Sequence, residues 1–250
     1  MADKKLNQVP TKTDASYIYA EDSGGNTIKI SKASLKGLVG IGSLDLNAMN
    51  DGVFIMYHRK SDNYPLAVKP DKWTSLQNSG EIADGVAVVE GGKILIVAPT
   101  EASTTLTWSS AAISGGGTTT VDRVTALDDW EGKANTAAQI VHSECNTASY
   151  APGFCNLYSR TNANGEGLTA GKWWLPSQGE MMMIYANMRK INYALSLITG
   201  ATKLQEASYW TSTELSAANA WNLYLSNGDA GSYTKASGKR RVRAVSAFIS

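Results

Sequence analysis

An α+β fold is what the order of apolar patterns in this 250-residue chain predicts, and three observations carry the prediction. Short strand-like runs separated by Gly, Asn, Asp and Pro begin near residue 51. A helix with an unusually explicit start signal follows at Ser177, and strand patterns return from Ser208 onward.

Taken in chain order, the first part is residues 1–50. Tyr17 to Ala20 and Thr27 to Ile30 flank Ser23-Gly24-Gly25-Asn26, whose glycines suit a tight hairpin turn. Ser31 or Ser34 is placed to cap a short helix through Leu35, Leu38 and Val39. So few apolar residues cannot form a core alone, which predicts packing on a partner, a sister subunit or the rest of the chain; the alternative is a frayed leader.

The second part, residues 51–250, is expected to hold strands at Val53 to His58, Pro65 to Val68, Gly85 to Val89, Lys93 to Ala98 and Leu106 to Trp108, with a hairpin turn at Gly91-Gly92. A first helix is expected from about Thr136 to Ser143, capped by Asn135 or Thr136. The second helix opens on the capping box Ser177 and Glu180 behind Pro176, with a plausible stop at Gly200. Its Met181, Ile184, Met188, Ile191 and Leu195 recur at spacings of three and four, so the methionines read as core rather than as a flexible binding surface. Closing strands are expected around Ser208 to Thr211, Ala220 to Leu225, Ser232 to Lys235 and Arg241 to Phe248. In the last, Val242, Ala244 or Val245 and Phe248 alternate with arginines.

Composition excludes several functions. With 23 basic and 22 acidic residues the net charge is +1, without the basic footprint of a nucleic-acid binder. The longest apolar runs, Gly85 to Val89 and Ile94 to Ala98, are strand-length, far below the roughly 20 residues of a membrane span. The N-terminus has two lysines and no apolar stretch after them, so cytoplasmic synthesis is expected. Cys145 and Cys155 are near enough in sequence for a disulfide, yet two cysteines read first as plain thiols. The two histidines, His58 and His142, support neither a zinc site nor a hydrolase triad, and no P-loop or Gly-x-Ser-x-Gly elbow occurs. Asp128 and Asp129 fall far short of a calcium ligand set and read as surface. No catalytic residue, metal or cofactor is expected.

The pieces Gly132-Lys133-Ala134-Asn135-Thr136, Trp173-Trp174-Leu175-Pro176-Ser177 with Gly179-Glu180, Tyr209-Trp210-Thr211-Ser212-Thr213-Glu214, Ala220-Trp221 and Arg241-Val242-Arg243-Ala244-Val245, in this order and spacing, resemble the C-type-lectin-like fold. More narrowly, the chain resembles the variable proteins of diversity-generating retroelements, including receptor-binding proteins of phage tails from gut bacteria. The resemblance covers roughly residues 51–250, and the hairpin leader is similar to the start of some phage tail proteins.

What the resemblance implies is a scaffold displaying side chains rewritten at adenines in the gene. The residues expected to bind ligand are Ser208, Leu215, Ser216, Ala217, Ala218, Asn219, Asn222, Tyr224, Ser226, Asp229, Ala230, Ser232, Tyr233, Ala236 and Ser237. Tyr supplies contact area at low entropic cost and Ser and Asn supply adaptable hydrogen bonds, as in antibody loops. If Trp221, Leu223 and Leu225 point inward, alternation turns Asn222, Tyr224 and Ser226 to solvent. Trp173, Trp174, Trp210 and Trp221 are expected in the core rather than as a sugar platform. Lys239-Arg240-Arg241 with Arg243 would either grip an anion or form a solvated strand edge.

The resemblance further implies a bacterial cell-surface protein or glycan as partner, attachment to a tail structure through residues 1–50, assembly as a homotrimer, and a place in the virion or on a bacterial surface. The chain departs from calcium-dependent lectins: it has no Glu-Pro-Asn motif, and Trp221-Asn222-Leu223 carries Leu where Trp-Asn-Asp supplies a carboxylate. An enzyme of the formylglycine-generating type shares the fold but needs cysteines near its C-terminus, and here none follows Cys155. A fixed-specificity adhesin or structural tail subunit is the remaining alternative.

Overall fold

The structure, a computed structural model, describes residues 17–21, 27–31 and 51–247. The chain divides into two compact units, Met1–Ala48 and Met49–Ser250. In the first, β1 (Tyr17–Glu21) and β2 (Thr27–Ser31) pair antiparallel, with Tyr17 opposite Ser31 and Glu21 opposite Thr27. The turn at 23–26, the helix expected through Leu35 to Val39 and the strand end at Phe248 lie outside the described residues.

The second unit is α+β with antiparallel sheets. Its larger sheet has five strands in the order β12-β6-β5-β3-β4: β3 (Gly52–His58), β4 (Pro65–Val68), β5 (Ala83–Glu90), β6 (Lys93–Val97) and β12 (Val245–Ser246). Gly91 and Gly92, both at positive φ (56° and 76°), close the β5–β6 hairpin, a turn that other residues enter only with strain.

Both faces of this sheet are covered, which is why β5 and β6 read as continuous apolar runs rather than as alternating ones. One face carries Ile55, Val86, Val88, Leu95 and Val97 into a core shared with Trp73, Met181, Ile184, Ile191, Leu195 and Leu223. The other presents Met56, Ala87 and Ile96 to a second core of Trp108, Trp173, Trp210, Leu175 and Val242.

Six helices lie among the described residues: α1 (Pro70–Asn78), α2 (Arg123–Leu127), α3 (Gly132–Gln139), α4 (Ala151–Leu157), α5 (Gln178–Ala186) and α6 (Met188–Leu197). The Ser177 capping box is formed as expected, with both reciprocal bonds present. The single helix expected after it is two, because Asn187 (φ −105°, ψ 7°) leaves helical geometry and its Nδ2 donates to the carbonyl of Met183 at 3.1 Å. The apolar stripe survives the break: Met181, Ile184, Ile191 and Leu195 are buried and Met188 is partly buried.

The other expected helix begins four residues early, at Gly132 rather than Thr136. Asn135 is therefore inside it, and its side chain bonds the amide of Thr118 and the carboxylate of Asp129 instead of capping. Leu106 to Trp108 is not a strand, since Leu106 bridges to Arg240 while Thr107 bridges to Tyr150, two partners that cannot form one ladder. A two-stranded hairpin, β7 (Arg160–Thr161) with β8 (Gly167–Leu168), and a three-stranded sheet, β9 (Ser208–Glu214), β10 (Asn219–Tyr224) and β11 (Asp229–Thr234), complete the unit.

Candidate functional site

The three-stranded sheet is antiparallel in the order β11-β10-β9 and holds most residues singled out from the sequence. Asn222 faces Gly231 on one side and Trp210 on the other, while Leu223 faces Ala230 and Tyr209. One face of the sheet is thus Tyr209, Trp221, Leu223 and Ala230, all within the first core. The opposite face carries Ser208, Trp210, Asn222, Tyr224, Gly231 and Tyr233, covered by the second core at the Trp210 end and open toward Tyr224 and Tyr233.

The residues that hold this sheet are polar and buried. Glu214 and Lys235, both fully buried, pair at 2.5 Å, and Glu214 also accepts the amides of Gly115 (2.8 Å) and Gly117 (3.2 Å). The Lys235 ammonium lies 4.4 Å from the centre of the Trp108 ring. Burial lowers the Lys235 pKa, opposed by the Glu214 carboxylate.

A second clamp is Glu101, which receives Arg241, Arg243 (3.3 Å) and the Tyr209 hydroxyl (2.8 Å). Arg243 donates further to the carbonyls of Ala98 and Thr202, each at 3.0 Å. Arg243 therefore neither lies on a solvated edge nor is free to grip an external anion, which corrects both expectations for it, while Arg241 stays partly exposed. Arg243 is fully buried between buried Val242 and Ala244, so the expected alternation fails because an inward arginine is neutralised within the protein.

The third anchor is Asp129, which is buried and not on the surface. It accepts Thr213 Oγ1 (2.6 Å), Asn135 Nδ2 (3.0 Å) and the Glu131 amide (2.9 Å). Beside it, Glu180 accepts the Ser177 amide and Trp174 Nε1, and burial pushes its carboxyl pKa up to about 7. Gly132 is required here, because a Cβ at that position would fall 2.0 Å from Glu180 Oε2. Gln178 joins helix to sheet, accepting from Thr211 Oγ1 (3.0 Å) and donating to the Asn222 carbonyl (3.3 Å).

On this frame the predicted residues sort by exposure. Ala217, Ala218, Tyr224, Ser226, Asp229, Ser232, Tyr233 and Ser237 are exposed, and Ser208, Leu215, Ser216, Asn219 and Ala236 are half-buried. Two are buried. Ala230 lies on the core face opposite Leu223, and Asn222 is 1% exposed although it shares a face with Tyr224. Asn222 is covered because Gly231 across from it has no side chain, leaving room for the Tyr224 ring to lean over, while Ser208 Oγ donates to its Oδ1 at 3.1 Å. Ser232 opens on the other side of the sheet, so the predicted set occupies both sides and the connecting turns.

Residues outside the predicted ligand-binding set also reach this region. Trp221 Nε1 donates to the Thr120 carbonyl (2.9 Å), and Arg123 pairs with Asp229 at 3.1 Å. The segment so held, which runs into α2, leaves Val121 and Val124 77% and 75% exposed. Arg240 lies with its guanidinium 4.0 Å from the Tyr233 ring centre and 5.9 Å from that of Trp210. The tryptophans expected in the core are there: Trp173, Trp174, Trp210 and Trp221 are all buried.

Cys145 and Cys155 are free and buried, and burial pushes the Cys145 thiol up to about 12 and Cys155 well above its usual range. Such thiols are protonated and inert at neutral pH. Among the described residues no three His, Cys, Asp or Glu side chains gather to hold a metal ion, and no helix is long and apolar enough to cross a membrane.

No family model and no curated protein matches the chain. A solved structure of a fimbrial protein from Bacteroides ovatus is similar at 17% identity and a TM-score of 0.41, over 62% of this chain and 35% of that one. The chain thus spans about a third of that protein's length.

Proposed function

We propose that residues 51–250 form a C-type-lectin-like domain that binds a ligand through β10, β11 and their turns, as the diversified receptor-binding protein of a phage tail. The bound molecule is then a protein or glycan of a bacterial surface, and residues 1–50 attach the domain to the tail, as a homotrimer. The observation that carries this reading is the contrast between side chains and support. Tyr224, Ser226, Asp229, Ser232, Tyr233 and Ser237 project from β10, β11 and their turns, in a sheet held by the buried Glu214–Lys235 pair and by Gln178.

Such side chains can change without touching the core, the property that a diversified surface requires. Deep sequencing of the 3′ end of this gene across its source population tests the reading. Substitutions crowded at adenines in the codons for 215–237, sparing Trp210, Trp221 and Arg243, are the expected result. Sparse, evenly spread changes would sink it and leave a fixed-specificity adhesin or structural subunit. Light scattering on the full-length chain tests assembly, and a clean monomer mass overturns the trimer.

A further inference from the structure

Of the four basic residues between 239 and 243, two are already paired within the protein: buried Arg243 and partly exposed Arg241 both bind Glu101. Arg240 is different. Its guanidinium stacks over Tyr233 on the open face of the sheet, and its Nη1 donates to the Lys239 carbonyl. Among the described residues no carboxylate stands within ion-pair distance of it, and its Nε has no hydrogen-bond partner. Across the same face Asn222 is 99% buried and its Nδ2 is likewise without a partner.

Unmet buried donors are rare and costly, and two on one face need an explanation. Trp210 links them: Asn222 sits directly opposite it in the ladder, and Arg240 lies 5.9 Å from its ring centre. The cover over Asn222 is the Tyr224 ring, which is 36% exposed, and a partly exposed ring can swing between rotamers quickly. Swung aside, it uncovers an amide donor next to a planar cation and leaves its own ring face free. Both polar groups donate, so the ligand must supply acceptors and negative charge.

Resting on the reading of this face as ligand-binding, we infer that it takes a carboxylated sugar. The Arg240 fork meets the carboxylate, Asn222 Nδ2 meets a hydroxyl oxygen, and Tyr224 stacks on the pyranose ring. The planar fork matters beyond its charge, because a guanidinium grips a carboxylate in two-point fashion while an ammonium does not.

The test uses the full-length protein on an array of uronic- and sialic-acid glycans, their neutral counterparts and poly-L-glutamate. Binding confined to the acidic glycans is expected, weakened roughly tenfold to a hundredfold by Arg240→Ala. Arg240→Lys should weaken it too, at an unchanged melting temperature. On the unmutated protein, free glucuronate should compete where glucose does not. Equal binding of neutral glycans, equal binding of poly-L-glutamate, or full affinity in Arg240→Lys each overturns the inference. Absence of any glycan binding overturns it as well, and if the population sequencing still shows changes crowded at 215–237, the binding face stands and only the ligand class falls.

Discussion

Polar residues of the framework and polar residues of the β10–β11 face obey opposite rules within one small region. Glu214, Lys235, Asp129, Glu101 and Arg243 are buried or nearly so, and each meets at least two partners. Around β10 and β11 the exposed side chains of Ser232, Tyr233 and Ser237 meet solvent, and Asn222 and Arg240 keep donors that nothing in the described residues accepts, as the framework does only at the Arg243 Nε among these residues. The difference teaches where this chain tolerates change: a residue whose partners are all internal is fixed by the fold, and one whose partners are solvent is not.

The largest test of that contrast is to remove one half of the buried pair. Glu214→Ala leaves the Lys235 ammonium in a site with no exposure and frees the amides of Gly115 and Gly117, so a loss of about 3–5 kcal/mol is expected. Denaturant unfolding followed by tryptophan fluorescence reads it directly. A loss under about 1 kcal/mol would mean that water reaches the site and that the pair does not hold the frame.

Next in size is Leu223→Ala. Leu223 is fully buried on the core face of β10, so deleting its side chain should cost about 2–5 kcal/mol by the same measurement. Tyr224→Ala, one residue on and pointing the other way, should cost far less. Similar losses at the two positions would break the assignment of faces.

The third test is pH. The Glu180 carboxyl has a folded pKa of about 7 against an ordinary value of 4.5, raised chiefly by burial. A raised acid pKa means that the folded state holds its proton more firmly than the unfolded one. Its contribution is therefore fully present below about pH 4.5 and is lost as pH rises toward 7. Glu180→Gln, which keeps an acceptor for the Ser177 amide, should flatten the fall in stability over that window. Thermal unfolding from pH 4.5 to 7.5 checks it, and identical slopes in both proteins would show Glu180 to be ionised throughout.

How much of this was legible beforehand follows from where each signal lies. The Ser177 cap, the Gly91-Gly92 turn and the tryptophan-rich core are local patterns, and each appears where its residues put it. The short helices escaped notice although three carried start signals, Pro at the first turn of α1 and of α4 and Asp122 accepting from Thr125 at α2, because five to nine residues hold too few turns for a periodicity to show. Alternation placed Tyr224 correctly and Asn222 wrongly, since burial of Asn222 depends on the glycine across the ladder, a pairing that a single strand does not reveal. Arg243 and Asp129 were misread for a related reason. Glu101 lies 142 residues from Arg243, and Thr213, which bonds Asp129 from β9, lies 84 residues away; the nearer Asp129 partners, Asn135 and the Glu131 amide, are uncharged and do not announce a buried carboxylate.

The smallest expected effect sharpens the comparison most. Ser232→Tyr and Ser237→Asn each change an exposed side chain on a strand or turn whose neighbours are held from beneath, and each should shift unfolding free energy by no more than about 0.5 kcal/mol. Ser232 is opposite Trp221, whose indole is bonded to the Thr120 carbonyl, so a larger side chain at 232 meets a platform that is already fixed. The pair of variants should retain the wild-type melting temperature to within a few degrees by differential scanning calorimetry. A drop comparable to that of Leu223→Ala would show that the face contributes to stability as the frame does, and a surface of that kind could not be rewritten without rewriting the fold.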